Sequence, residues 1–250
     1  MRSPEKRVIF LSFEPWRGPL TVNLAERHPQ LDAITTGDAV QLTPDTIVLP
    51  SVDILIDLRH TPIWTAAPAP MSALTENQRR ALLAEVTKLI AARAGNGPGA
   101  ILLYLLGLAE KTDLSAEQGT LLVYASGLRT ALVSRQVSRV TDAASRLLGY
   151  GRGLTPSGDD LLTGFLLALN RWTQYPYSRD QLHQINTRLV NIAYTQTTSL
   201  SANLIAAAAQ GQADERLVTA LDALLTAALP PTEIAHRLLS YGSSSGIDAL

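Results

Sequence analysis

The densest group of chemistry-bearing residues is Gly149-Tyr150-Gly151-Arg152-Gly153-Leu154-Thr155-Pro156-Ser157-Gly158-Asp159-Asp160. Glycines at alternate positions let the backbone take positive φ and approach a ligand closely. Thr155 is suited to cap a helix, with Pro156 at its first position, where a missing N–H does no harm. The apolar run Leu161–Leu169 continues that helix. A glycine-rich loop entering a helix presents free N–H groups and a positive dipole end, which together favour anions. Arg152 adds a bidentate partner for phosphate or carboxylate. The same residues admit two other readings. Asp159 and Asp160 can simply complement the helix dipole, or, as adjacent carboxylates, hold a hard cation such as magnesium. The loop lacks the Gly-Lys-Ser/Thr ending of a nucleotide-binding loop, and no strand is expected before it.

A second copy of the pattern lies at the other end of this region. Ser157-Gly158-Asp159-Asp160-Leu161-Leu162 aligns with Ser245-Gly246-Ile247-Asp248-Ala249-Leu250 as Ser-Gly-x-Asp-x-Leu. Each copy follows a turn rich in glycine or serine. Between them, Thr195-Gln196-Thr197-Thr198-Ser199-Leu200-Ser201-Ala202-Asn203 is dense in hydroxyls, which compete with helical hydrogen bonds and often line polar cavities. These observations predict that Ser157-Gly158, Thr197-Thr198-Ser199 and Ser245-Gly246 converge on one cleft. There Asp160 and Asp248 would orient the loops or accept from a substrate amide. The plain alternative is a set of helix caps at opposite ends of a bundle. His28, His60, His183 and His236 stand in no metal-ligand spacing, and no Ser-His-Asp grouping is evident.

The elements that must position these residues fall into two kinds. Residues 1–66 read as a small β-rich module. Its short apolar runs, among them Val8–Leu11, Leu20–Leu24, Ala39–Leu42, Thr46–Leu49 and Ser51–Leu58, are separated by turn residues, which suggests a small sheet or partial barrel. Thr65–Pro70 reads as a linker. Residues 72–250 read as a larger, mostly α-helical bundle, so the fold class is α+β. Helices are expected at Ser72–Ala94 (ended by the breakers at 95–99), Ala100–Ala109, Ser115–Leu148 with a break, Pro156–Trp172, Arg179–Gln210, Ala213–Leu229 and Pro231–Ser240.

Composition narrows the function. The chain has 250 residues, 46% hydrophobic and 17% charged, with net charge -1. That suits a globular protein and supplies no basic field for nucleic acid. The absence of cysteine excludes thiolate zinc sites, cysteine nucleophiles and disulfides. No apolar run is long enough for a membrane span and none suits a signal peptide, so the expectation is a cytoplasmic protein.

The run from Gly151 to Gly164 closely resembles the hallmark of the AllH-like family of bacterial proteins. Two further stretches agree: Thr197-Thr198-Ser199-Leu200-Ser201 with Ala206–Gly211, and Gly242–Asp248. One branch of that family is a subunit of oxamate carbamoyltransferase in allantoin (purine) catabolism. The resemblance implies a role with carbamoyl phosphate and oxamate or oxalurate, a small anionic metabolite as ligand, and other subunits as partners. Ser243 departs from the histidine that relatives often carry, so no role for that histidine transfers. Three functions follow as expectations. The first is a carbamoyltransferase subunit in which Gly151, Arg152, Gly153, Thr155, Ser157, Gly158, Thr197, Thr198, Ser199, Ser245, Gly246 and Asp248 bind ligand while Asp159 and Asp160 act in catalysis. The second is a non-catalytic protein for small-anion binding or assembly. The third is a metal-dependent hydrolase using Asp159 and Asp160 with magnesium.

Overall fold

The computed structural model describes residues 7–94, 101, 104–107, 114–172, 177–242 and 245–250. A small strand region precedes a larger helical part, an α+β arrangement. The breakers expected at 95–99, half of the helix expected at Ala100–Ala109, and Ser243-Ser244 lie outside the described residues.

The strands form two separate ladders. β1 (Phe10–Ser12) pairs in parallel with β2 (Thr21–Asn23), Leu11 facing Val22. β3 (Gln41–Leu42), β4 (Thr46–Leu49) and β5 (Ile54–Asp57) form an antiparallel meander with Ile47 opposite both Leu42 and Ile56. Alternation along β4 buries Ile47 and Leu49, whereas Leu42 and Leu55 stay exposed. The expected partial barrel is corrected to two short ladders. Proline punctuation is the reason: Pro50 opens a 3-10 turn, Pro50–Val52, that closes at Asp53 with φ 51°, so β5 starts later than the apolar run suggests.

Among the described residues the helices with defined bounds are α1 (Glu76–Ala94), α2 (Ala116–Ser134), α3 (Val137–Ser145), α4 (Ser157–Arg171), α5 (Arg179–Gln196), α6 (Ser199–Ala208), α7 (Glu215–Thr226), α8 (Pro231–Leu239) and the short α9 (Ser245–Asp248). Ser115 and Ser178 start α2 and α5 with reciprocal capping boxes to Gln118 and Gln181. The pattern break in Ser115–Leu148 falls at Arg135, which turns left-handed with φ 55°. The single helix expected over Arg179–Gln210 is corrected to two. Thr197 is extended, and Thr198 starts a new helix by accepting from the Ser201 N–H at 3.1 Å. Hydroxyls at this density made the cap cheaper than continuation of the helix.

α4 lies at the centre. Leu162 and Leu166 are fully buried beside Leu147, Ile185, Leu189, Ile205 and Ile234, which is why α4 is apolar nearly all round. The stretch expected as a linker is pinned to this core. Ala66 donates its N–H to Gln212 Oε1 at 2.7 Å, and the Ala67 carbonyl accepts from Arg171 Nη2 at 2.9 Å. Arg171 is itself buried, with both arms of its guanidinium on Asp222. Among the described residues no helix is long and apolar enough to cross a membrane.

Candidate functional site

The chain leaves α3 through Leu147-Leu148-Gly149-Tyr150 and loops to α4. Gly149 has φ 71°, and a Cβ there would sit 2.8 Å from the Gln196 carbonyl. Glycine is therefore required where the loop passes the end of α5. Gly151 has φ 118°, with room for a Cβ only 2.7 Å from the Ser157 amide. The loop thus lies over the start of its own helix. The amides that follow Ser157 are already engaged: Gly158 N–H donates to the Tyr150 carbonyl at 2.8 Å, and Asp159 and Asp160 N–H donate to the Pro156 carbonyl at 2.8 and 3.1 Å. The expected cap is corrected as well. Pro156, not Thr155, is the N-cap and supplies no side-chain bond. Thr155 is drawn away to Ser245, whose hydroxyl oxygen lies 3.1 Å from its own.

Asp159 and Asp160 are adjacent and both buried, yet their surroundings differ. Asp159 is a clamp. Its Oδ1 accepts the Gly149 N–H at 2.8 Å, and its Oδ2 accepts a short hydrogen bond from the Thr197 hydroxyl. One carboxylate thereby ties the glycine loop to the α5–α6 junction. Thr198 adds a second tie, donating to the Leu154 carbonyl at 2.7 Å. Asp160 faces the other way. The hydroxyls of Ser245 and Thr155 hydrogen-bond to it, but its Oδ2 is buried without a hydrogen-bond partner. Burial pushes its carboxyl up to about 7, against the pull of those hydroxyls and with help from the nearby charges of Asp248 and Asp159. A carboxyl balanced between its two protonation states near neutral pH can give or take a proton.

The residues Thr155 and Ser245 also line a cleft of ≈ 360 Å³ whose opposite wall carries Glu14 and Trp16 from the segment between β1 and β2, with Arg216 and Tyr241 between. The strap bearing Glu14 is fixed by Asn23, whose side-chain amide donates to the Glu14 and Trp16 carbonyls, each at 2.8 Å. Arg17 locks it to α7 through a two-pronged ion pair with Glu215 and a backbone bond from Glu215 N–H to the Arg17 carbonyl at 2.8 Å.

Of the residues singled out in the sequence, Thr155, Asp160, Ser245 and Asp248 come together, and Thr197 and Thr198 brace them from behind. Gly158 and Gly246 are buried at the two helix starts. Ser157 lines a separate cavity of ≈ 310 Å³ with Glu117, Gln118 and Tyr150. Arg152, Gly153 and Ser199 are exposed, and Gly151 is half-buried. Sequence reasoning passed over Glu14, Trp16, Arg216 and Tyr241. For Tyr241 a signal existed: the repeat extends upstream as Leu-Leu-x-Tyr-Gly, at 147–151 and at 238–242. For the other cleft residues the sequence carries none.

The stretch that supplies Thr155, Asp160, Ser245 and Asp248 is also the one that is similar to a known family. Residues 147–250 match the AllH family model, described as oxamate carbamoyltransferase subunit AllH. The AllH match opens at Leu147, where the first turn begins, and takes in both Ser-Gly-x-Asp copies. The strand region and α1–α3 lie outside it. No curated protein and no solved structure matches the chain.

Proposed function

We propose that this chain is a subunit of an enzyme that moves a carbamoyl group between carbamoyl phosphate and oxamate, forming oxalurate, in purine breakdown. The observation that carries the reading is that the AllH match covers the very turns that bring Thr155 and Ser245 to the cleft, with Asp160 buried against their hydroxyls. In the forward reaction the oxamate amide nitrogen attacks the carbamoyl carbon. A C–N bond forms, the C–O bond to phosphate breaks, and phosphate leaves with the electron pair. The attacking nitrogen must shed a proton. The Ser245 or Thr155 hydroxyl accepts it and passes its own proton to ionised Asp160. The hydroxyls also fix the amide by hydrogen bonds before attack.

Asp160→Asn in the complex with the partner subunits tests this. Oxalurate formation is expected to fall by about 10²-fold or more. The wild-type rate should rise with pH through about 7, and the variant should lose that limb. Near-wild-type rates in the variant would retire the catalytic role of Asp160.

A second reading, assembly without chemistry, is favoured by one observation: the amides of Gly158, Asp159 and Asp160 and both oxygens of Asp159 make hydrogen bonds inside the chain. A rigid joint of that kind suits a docking part. It predicts that Asp160→Asn leaves transfer intact, while a variant that breaks the clamp, Asp159→Ala, releases the chain from its complex. The metal-dependent reading has less support. Each oxygen of Asp159 already accepts a hydrogen bond from within the chain, and among the described residues no group of three or more His, Asp or Glu is arranged to hold an ion.

A further inference from the structure

Arg216 is the best-held cation in the cleft. It is buried, on α7, and its charge is anchored on several sides. Nε and Nη2 each lie 2.9 Å from an oxygen of Asp214, in fork-to-fork geometry. Nη1 donates to the Ser240 carbonyl at 2.7 Å. The rings of Trp16 and Tyr241 lie 5.5 and 5.3 Å from the guanidinium carbon. Such anchoring fixes the direction in which the remaining donor capacity points. On that side the guanidinium makes an ion pair with Glu14, whose Oε2 lies 3.2 Å from Nη1.

Glu14 is a different kind of partner. Its side chain is 63% exposed against 9% for Arg216, and it reaches across from the other wall of the cleft. Its main chain is held by Asn23, so the carboxylate can swing aside without disturbing the strap. A long contact to an exposed carboxylate is weak and easily exchanged. Of the other acids, Asp214 is neutralised by Arg216 itself, Asp160 retains its proton in much of the population at neutral pH, and Asp248 is buried beside Asp160 and does not line the cleft.

We propose that Arg216 binds the carboxylate of the substrate and that the Glu14 carboxylate occupies that place until the substrate arrives. The proposal rests on the reading of the cleft as an oxamate site and adds its specificity determinant. Oxamate is an amide joined directly to a carboxylate. Arg216 takes the carboxylate while Thr155 and Ser245, on the same cleft, take the amide. Arg216 thereby separates oxamate from neutral amides, which offer the hydroxyls the same group and the guanidinium nothing.

The test is calorimetric titration of the full chain with oxamate and with oxamide, its neutral analogue. Glu14→Gln removes the resident charge from an exposed position that the fold does not need. It should bind oxamate about two- to fivefold more tightly than wild type, with oxamide unchanged. Arg216→Lys keeps the charge but loses the fork through which Asp214 aims it at the cleft, and should bind oxamate more weakly than wild type with oxamide unchanged. Unchanged or weaker oxamate binding in Glu14→Gln would overturn the exchange while leaving the transfer reading in place. Equal tightening for both ligands would overturn it too, since it would mean only a wider cleft. Absence of oxamate binding in wild type and variants alike would overturn the carboxylate site, and loss or retention of transfer in Asp160→Asn would still judge the wider reading separately.

Discussion

The turns Leu147–Asp160 and Leu238–Asp248 share a frame and differ in one anchoring position. In each, a tyrosine N–H donates to the carbonyl of the leucine before it, Tyr150 to Leu147 at 3.0 Å and Tyr241 to Leu238 at 3.3 Å. In each, the tyrosine carbonyl accepts from the helix-start glycine, Gly158 at 2.8 Å and Gly246 at 3.1 Å. In each, the glycine backbone rests on that same leucine carbonyl. The loops between differ in length, and so does the residue after the glycine. The first turn has Asp159, clamped to Gly149 and Thr197; the second has Ile247, buried in the core. The frame therefore sets where the helix begins, and the residue after the glycine decides whether polar bonds or apolar packing holds the turn. Both turns keep an aspartate one place further on, and these two meet: the charge of Asp248 is one reason Asp160 holds its proton.

The shared frame breaks most severely at its glycines. A Cβ at Gly158 would lie 2.1 Å from the Leu147 carbonyl oxygen, and one at Gly246 would lie 2.0 Å from that of Leu238. The neighbours are backbone and cannot rotate aside. Gly158→Ala and Gly246→Ala should each cost about 4 kcal/mol or more, measured by urea unfolding, with similar losses at the two sites. A tolerant Gly246 beside an intolerant Gly158 would break the equivalence of the turns.

Asp160→Asn sharpens the comparison through pH. The folded state raises this carboxyl from 3.8 to about 7. Its proton is therefore bound more tightly in the folded than in the unfolded chain. Stability from this group is complete below the unfolded value, declines as pH rises, and is fully lost above about 7. The Asn variant should lack that decline and be more stable than wild type at pH 8, by about 2–4 kcal/mol in thermal unfolding. A wild-type stability independent of pH between 4 and 8 would contradict it.

The smallest effect belongs to the position where the turns differ. Asp159→Ala leaves the Gly149 N–H and the Thr197 hydroxyl without their acceptor and should cost about 1–3 kcal/mol. Thr197→Val should cost less, because Gly149 keeps its bond. Combined with Asp159→Ala it should add little, since the two changes remove one shared interaction. Full additivity would show that the clamp does not act as a unit.

Much of this was legible in the sequence. The change from short β-branched runs to helical spacing marked the α+β order, and Ser115 announced its helix through a capping box. The repeated Ser-Gly-x-Asp pointed to Asp160 and Asp248 together. Three things were not legible, each because a long-range contact overruled a local preference. Thr155 looks like a cap, but Ser245 claims its hydroxyl across ninety positions of chain. Thr197 and Thr198 sit in a helical pattern, but Asp159 and Leu154 offer their hydroxyls partners that a continuous helix would forgo. The cleft wall at Glu14 and Trp16 depends on where the strap docks, which no local pattern encodes.

The docking of that strap also orders events in time. Arg17 waits for Glu215, its partner 198 positions later in the chain. At about 5–20 residues per second of synthesis, that is a delay of roughly 10–40 s. Throughout it, the strap and the strands that flank it have nothing to close against, and Phe10 and Phe13 stand open on the nascent chain. The helices after α1 pack largely on near neighbours in sequence and can collapse as they emerge, whereas α1 waits for α8. The strap is thus made well before it can find its place, and the cleft gains its roof only after its floor is complete.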